Sequence, residues 1–146
     1  MAIYTSSANL YTLGKLKMGQ AAYSFASSTF GVLLTTSTHT PDQQNDEFVD
    51  DITNEVSGNG YARQTVAATW AADGLVARLT LADPSWTASG GSIVFRRWHL
   101  YANLGTDATS PLLAYGYADA TPADATIADT ITGTLDFSDA SGLFTF

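Results

Sequence analysis

Asp73-Gly74 lies between two runs in which apolar and polar side chains alternate. Arg63 to Ala72 alternates through Val66, Ala68 and Trp70, and the second run is Leu75 to Ala82. An Asp-Gly pair in that setting is a strong local hairpin signal, because a type I′ turn needs positive φ at both central residues. The middle of the chain is thereby committed to antiparallel strands.

The remaining runs extend the same reading. Ala21 to Ser27 alternates with Tyr23 and Phe25 on one face, and Phe30 to Thr36 (FGVLLTT) is a short apolar run that predicts a buried strand. Further strands are expected over Ser92 to Ala102 (SIVFRRWHLYA) after the turn at Gly90-Gly91, and over Leu112 to Tyr117, Asp129 to Phe137 and Gly142 to Phe146. Only two Glu and two Lys occur in 146 residues, against many Thr, Ser, Val and aromatic residues, which disfavours long surface helices. The fold class expected is mainly β, a single domain over residues 1–146 built as an antiparallel β-sandwich or barrel. One short helix is predicted near residues 41–52. Thr40 would cap it, Pro41 would take its first position, and Phe48 and Ile52 would share one face. A second helical candidate, Ser6 to Met18, is interrupted by Gly14, and residues 1–18 read as an N-terminal arm.

The formal charge is −8, with six Lys and Arg against fourteen Asp and Glu, which argues against binding a nucleic-acid backbone. With no cysteine, disulfides, thiolate metal sites and a Cys nucleophile are excluded. No basic segment precedes a long apolar run, so neither a signal peptide nor a membrane span is expected.

Six of the fourteen acids fall within residues 39–63: Asp42, Asp46, Glu47, Asp50, Asp51 and Glu55. The segment ends at Gly58-Asn59-Gly60 and Tyr61. The plainest reading is a solvated helix face. Asp46, Asp50 and Asp51 offer oxygens to a calcium ion, but without the spacing or the glycine of an EF-hand loop. His99 is expected within a sheet, holding a hydrogen-bond partner, and His39 in a loop. Sixty positions apart and without companion ligands, they make a poor zinc pair. There is no GxSxG nucleophile turn and no glycine loop followed by a phosphate-binding lysine. The expectation is therefore no enzyme, with no catalytic, cofactor-binding or metal residues and no cofactor. Trp70, Trp86, Trp98, Tyr101, Tyr115 and Tyr117 read as core or interface residues, with a sugar platform as the alternative. Arg96 and Arg97, adjacent in a strand, would point to opposite faces, one of them inward or at an interface.

The succession GVLLTTS, THTPDQQNDEFVDDITNEVSGNGY and ATSPLLAYGYAD resembles a group of small tailed-bacteriophage virion proteins. The residues that carry the resemblance are Leu33, Leu34, Pro41, Asp42, Phe48, Asp51, Glu55, Gly58, Gly60, Tyr61, Trp86, Pro111, Leu112 and Tyr115, across about residues 30–118. The chain departs from the group after that point, in ATPADATIADT. The resemblance implies a capsid decoration (cement) protein on the outside of the virion, associated with the major capsid protein and with itself, as a trimer, and without nucleic acid or membrane. Its mechanism would be multivalent, many weak contacts adding to avidity. Candidate contact residues are Ile3, Tyr4, Leu10, Tyr11, Arg96, Arg97, Phe144 and Phe146. The apolar ends that hold most of them could equally be outer strands of the domain's own sheets. The alternative function is a tail- or fibre-associated adhesion module that binds host glycans through exposed aromatics.

Overall fold

The computed structural model describes residues 2–4, 8–118, 123–137 and 144–145. The strands are β1 Ala2–Tyr4, β2 Ala8–Leu10, β3 Thr29–Thr35, β4 Gln64–Val66, β5 Ala68–Asp73, β6 Val76–Leu81, β7 Ser85–Thr87, β8 Ile93–Phe95, β9 Arg97–Asn103, β10 Leu112–Tyr117, β11 Ala125–Ile127, β12 Thr132–Leu135 and β13 Phe144–Thr145. One α-helix, α1, spans Thr12–Gly19. The fold is mainly β, as expected, and sandwich-like, with no closed barrel among the described residues.

The central sheet runs β2-β10-β9-β3-β4, with every neighbouring pair antiparallel. Its inner strands β3 and β9 are buried on both faces, which explains why FGVLLTT reads as an unbroken apolar run. Alternation along β9 sends Trp98, Leu100 and Ala102 to the main core with Phe30, Val32 and Leu34. Tyr101 goes to the opposite face, into a smaller cluster with Tyr11, Leu33, Val49 and Leu112. Among the described residues there are three further small sheets: β1-β12-β7, β11-β8 and β13-β6-β5. All their pairings are antiparallel except β1 with β12.

Two long predicted strands are each divided by a corner. Arg63 to Ala72 breaks at Ala67, so β4 pairs with β3 while β5 pairs with β6. Ser92 to Ala102 breaks at Arg96, whose backbone N–H donates to Thr35 O and whose carbonyl accepts from Ala118 N. A chain that passes from one sheet to the next at such a corner lets two sheets share a core. The hairpin stands where Asp73-Gly74 put it, but its two-residue loop is Gly74-Leu75, closed by the pair Asp73 and Val76. Only Gly74, at φ +63°, has positive φ, so the turn follows the II′ pattern with glycine first.

The helix predicted over 41–52 does not form. Asp42 Oδ1 accepts from the N–H groups of Gln44 and Asn45, Asp46 Oδ2 from Asp42 N, and Asp51 Oδ2 from Glu47 N and Phe48 N. Such side-chain acceptors compete with the helical ladder. Phe48 is extended, at φ −123° and ψ 166°, and bridges to Pro111. Only a short 3-10 turn, Val49–Asp51, remains. Ala21 to Ser27, read as a strand, is a series of turns in which Ser24 and Ser28 satisfy each other's neighbourhood, Ser24 N donating to Ser28 Oγ and Ala26 N to Ser24 Oγ. Tyr23 and Phe25 still face the main core.

The helix that does form includes the glycine expected to interrupt it. A Cβ on Gly14 would fall onto Leu112 O and lie 3.1 Å from Leu113 Cα, so α1 lies directly against β10. Gly14→Ala gains helix propensity of about 1 kcal/mol but must push α1 off a backbone that cannot yield. Overpacking costs of about 1–3 kcal/mol make a net loss the expected result, read as a lowered denaturation midpoint. A variant more stable than the parent would contradict this packing.

Candidate interaction surfaces and a buried histidine pair

The acidic segment is held in place by its own carboxylates. Asp42, Asp46 and Asp51 bond backbone N–H groups as described, and Glu47 pairs with Lys17 of α1 at 2.7 Å. Hydrogen bonds from Asn45 and the backbone hold the Asp42 carboxyl below its usual range, whereas burial pushes that of Asp46 up. Asp46, Asp50 and Asp51 do not converge on one point as a calcium trio would. Among the described residues, no three His, Asp or Glu side chains gather to hold a metal ion.

Glu55, Tyr61, Arg63 and Asp107 form an extended polar clasp. Glu55 accepts from Arg63 Nε at 2.8 Å, from Arg63 Nη2 at 2.6 Å and from the Tyr61 hydroxyl at 2.8 Å. Arg63 also donates to both oxygens of Asp107, at 2.7 and 3.0 Å, which holds the Asp107 carboxyl below its usual range. The Tyr61 hydroxyl in turn accepts from Leu34 N at 3.0 Å, and burial raises its pKa. Gly58, Asn59 and Gly60 all have positive φ, and this tight turn brings Tyr61 back under β3. The clasp therefore ties the 39–63 segment to β3 and to the loop that precedes β10. Its groups are committed to one another.

Beneath it lies a polar cluster that sequence reading did not assemble. His99, in the middle of β9, is fully buried. Its Nδ1 meets the Tyr11 hydroxyl at 2.8 Å and its Nε2 meets Thr35 Oγ1 at 3.0 Å, so one ring nitrogen donates and the other accepts. His39 packs edge-on against it, with ring centroids 5.1 Å apart, and shares a hydrogen bond with Thr53 Oγ1 at 3.2 Å. Arg97 donates to the His39 carbonyl and lies 5.1 Å over the Tyr117 ring. His39 Nε2 and Arg97 Nε find no hydrogen-bond partner among the described residues. Burial first, and then nearby positive charge, lowers the pKa of both histidines. Tyr11, Thr35 and His99 are each 0 % exposed, so this hydroxyl–imidazole–hydroxyl chain faces packed protein rather than solvent.

The predicted contact residues divide into separate groups. Tyr11 is wholly inside, and Arg97 is buried beside His39, so neither presents a side chain to a partner. Leu10 is half-buried at the edge of the central sheet, paired with Ala114. Arg96 is half-exposed at its corner and paired with Asp124 at 2.8 Å. The backbone of Ile3 and Tyr4 lies parallel to Thr134 and Leu135, and that of Phe144 pairs with Leu79. The described strands at both ends, β1, β2 and β13, are thus outer strands of the chain's own sheets. Phe146 lies outside the described residues. Of the aromatics proposed as a sugar platform, Trp86, Trp98 and Tyr101 are buried, while Trp70 is exposed and stacks on Phe25 with ring centroids 5.2 Å apart.

Sequence reading also passed over Leu75, which is completely exposed at the hairpin tip. Its signal was present: a leucine beside a turn glycine cannot reach a core. No protein-family profile, curated protein or solved structure matches the chain.

Proposed function

We propose that this protein is a capsid decoration protein, which binds the outside of a phage head and clamps neighbouring capsid subunits. The observation that supports the reading is that residues carrying the virion-protein resemblance meet in one unit. Phe48 bridges to Pro111, Leu33 packs with Leu112, Leu34 N reaches Tyr61, and Tyr61 reaches Glu55. A motif spent on holding its own backbone is what a scaffold needs, and its carboxylates keep the surface away from the packaged genome. Binding would come from many copies, each with a modest contact to the major capsid protein. The test is the copy number in purified particles, measured by quantitative mass spectrometry. A number of the same order as that of the major capsid protein is expected. A handful of copies, fixed at the tail tip, would sink the proposal and favour the adhesion module.

A further inference from the structure

Asn59-Gly60 is the single Asn-Gly pair in the chain, and it lies in an exposed turn. An asparagine before glycine is prone to lose its side-chain amide, because a residue without Cβ leaves its backbone nitrogen unobstructed. This asparagine, however, is pinned through both its side chain and its backbone. Its Nδ2 donates to Ser92 O at 2.7 Å, and its carbonyl accepts from Ser89 N at 2.9 Å. The side-chain amide lies close over Gly91, where a Cβ would fall 2.8 Å from Asn59 Oδ1 and 3.0 Å from its Cγ. Gly90 and Gly91 are held in turn, both donating their N–H groups to Asp129 Oδ1, at 2.9 and 3.3 Å. The loop between β7 and β8 is thus a seat for Asn59.

We propose that Asn59 is a site of spontaneous deamidation that the folded chain keeps closed, and that reaction there releases the turn for good. In the reaction Gly60 N attacks Asn59 Cγ and gives up its proton, the Cγ–Nδ2 bond breaks, and ammonia leaves. Water then opens the five-membered imide on either side, which leaves an aspartyl or an isoaspartyl residue. Closing that ring turns Asn59 about its side-chain bonds and about its Cα–C bond. The first motion takes Nδ2 off Ser92 O, and the second takes the carbonyl off Ser89 N. Reaction therefore waits for a local opening of the turn. Afterwards the seat is lost. A carboxylate has no N–H to give to Ser92 O and sets acceptor against acceptor. An isoaspartyl residue also adds a methylene to the backbone of a turn in which Gly58, Asn59 and Gly60 all have positive φ. The same turn carries Tyr61, so its release loosens the hydroxyl that meets Leu34 N and Glu55. The inference does not rest on the decoration reading.

The test incubates the full chain, folded and in urea, in mildly alkaline buffer and follows each of its five asparagines by peptide mass spectrometry. In urea Asn59 should react first. In the folded chain it should react at least about tenfold more slowly, the factor set by an opening cost of about 1.4 kcal/mol. Gly91→Ala pushes the amide off its seat and should bring the folded rate toward the rate in urea. Asn59→Asp, which matches the aspartyl product, should speed hydrogen exchange at the Ser89 amide, whose partner is the Asn59 carbonyl. Equal rates at Asn59 in the folded and unfolded chains would overturn the proposal, as would another asparagine reacting first in urea. A folded Gly91→Ala chain that reacts as slowly as the parent would overturn it too. So would an Asn59→Asp chain whose Ser89 amide is as protected as the parent's. The comparison of folded and unfolded parent decides the question even if Gly91→Ala fails to fold.

Discussion

Replacement of Trp98 by alanine should cost about 3–5 kcal/mol, enough to bring a domain of ordinary stability close to unfolding. Trp98 is the largest fully buried side chain, on the inner strand β9, where it packs against Phe137 with ring centroids 4.8 Å apart. Its ring also lies across Gly116 of β10, where any Cβ would strike it. Its loss leaves a cavity in the main core beside Phe137. Trp98→Phe keeps most of the apolar volume and should cost clearly less. Chemical denaturation of the two variants checks the ranking. A cost for Trp98→Ala near that of an exposed substitution would mean that the ring is not the centre of the core.

Acid is expected to be the second large perturbation. In the folded chain His99 and His39 both have pKa values below the ordinary 6.5, through burial first, and then through Arg97 for His39 and through His39 and Arg97 for His99. In the unfolded chain they titrate normally, so below about pH 6.5 the unfolded state binds more protons. The stability these groups contribute is present above that pH and is lost as pH falls toward the lowered folded values. The slope is about 1.4 kcal/mol per pH unit for each histidine in that window. The groups packed around the pair do little to oppose this. Tyr11 and Tyr115 remain neutral, with pKa values raised by burial, and Arg97 adds positive charge. His99→Gln can still meet Tyr11 and Thr35 but does not titrate. It should lower stability at neutral pH and flatten the loss between about pH 6.5 and pH 5. Parallel stability curves for parent and variant would contradict the assignment.

What could be read from the sequence follows the range of the interactions involved. The hairpin was legible because Asp73-Gly74 and the alternation on either side are local. Its turn type was not, because the register makes Gly74 and Leu75 the two central residues rather than Asp73 and Gly74. FGVLLTT was legible as a buried strand, since burial on both faces leaves no polar alternation. The helix expected over 41–52 failed for a nonlocal reason. Phe48 is drawn to Pro111, and Glu47 O and Val49 N are taken by Leu112 N and Ser110 O. The acids there looked like a solvated helix face, yet Asp42, Asp46 and Asp51 are acceptors for the loop's own backbone. Gly14 looked like a helix breaker because the strand it packs against lies nearly one hundred residues away in sequence. Tyr11 looked available for a partner because nothing near it in sequence announces that His99 will bind its hydroxyl.

The most direct test of the functional account is a reconstruction by electron microscopy of particles that carry this protein. The expected result is density for the β domain repeated over the outer face of the capsid, in contact with adjacent major capsid subunits. Density confined to the tail, or a head that carries none of this protein, would contradict it.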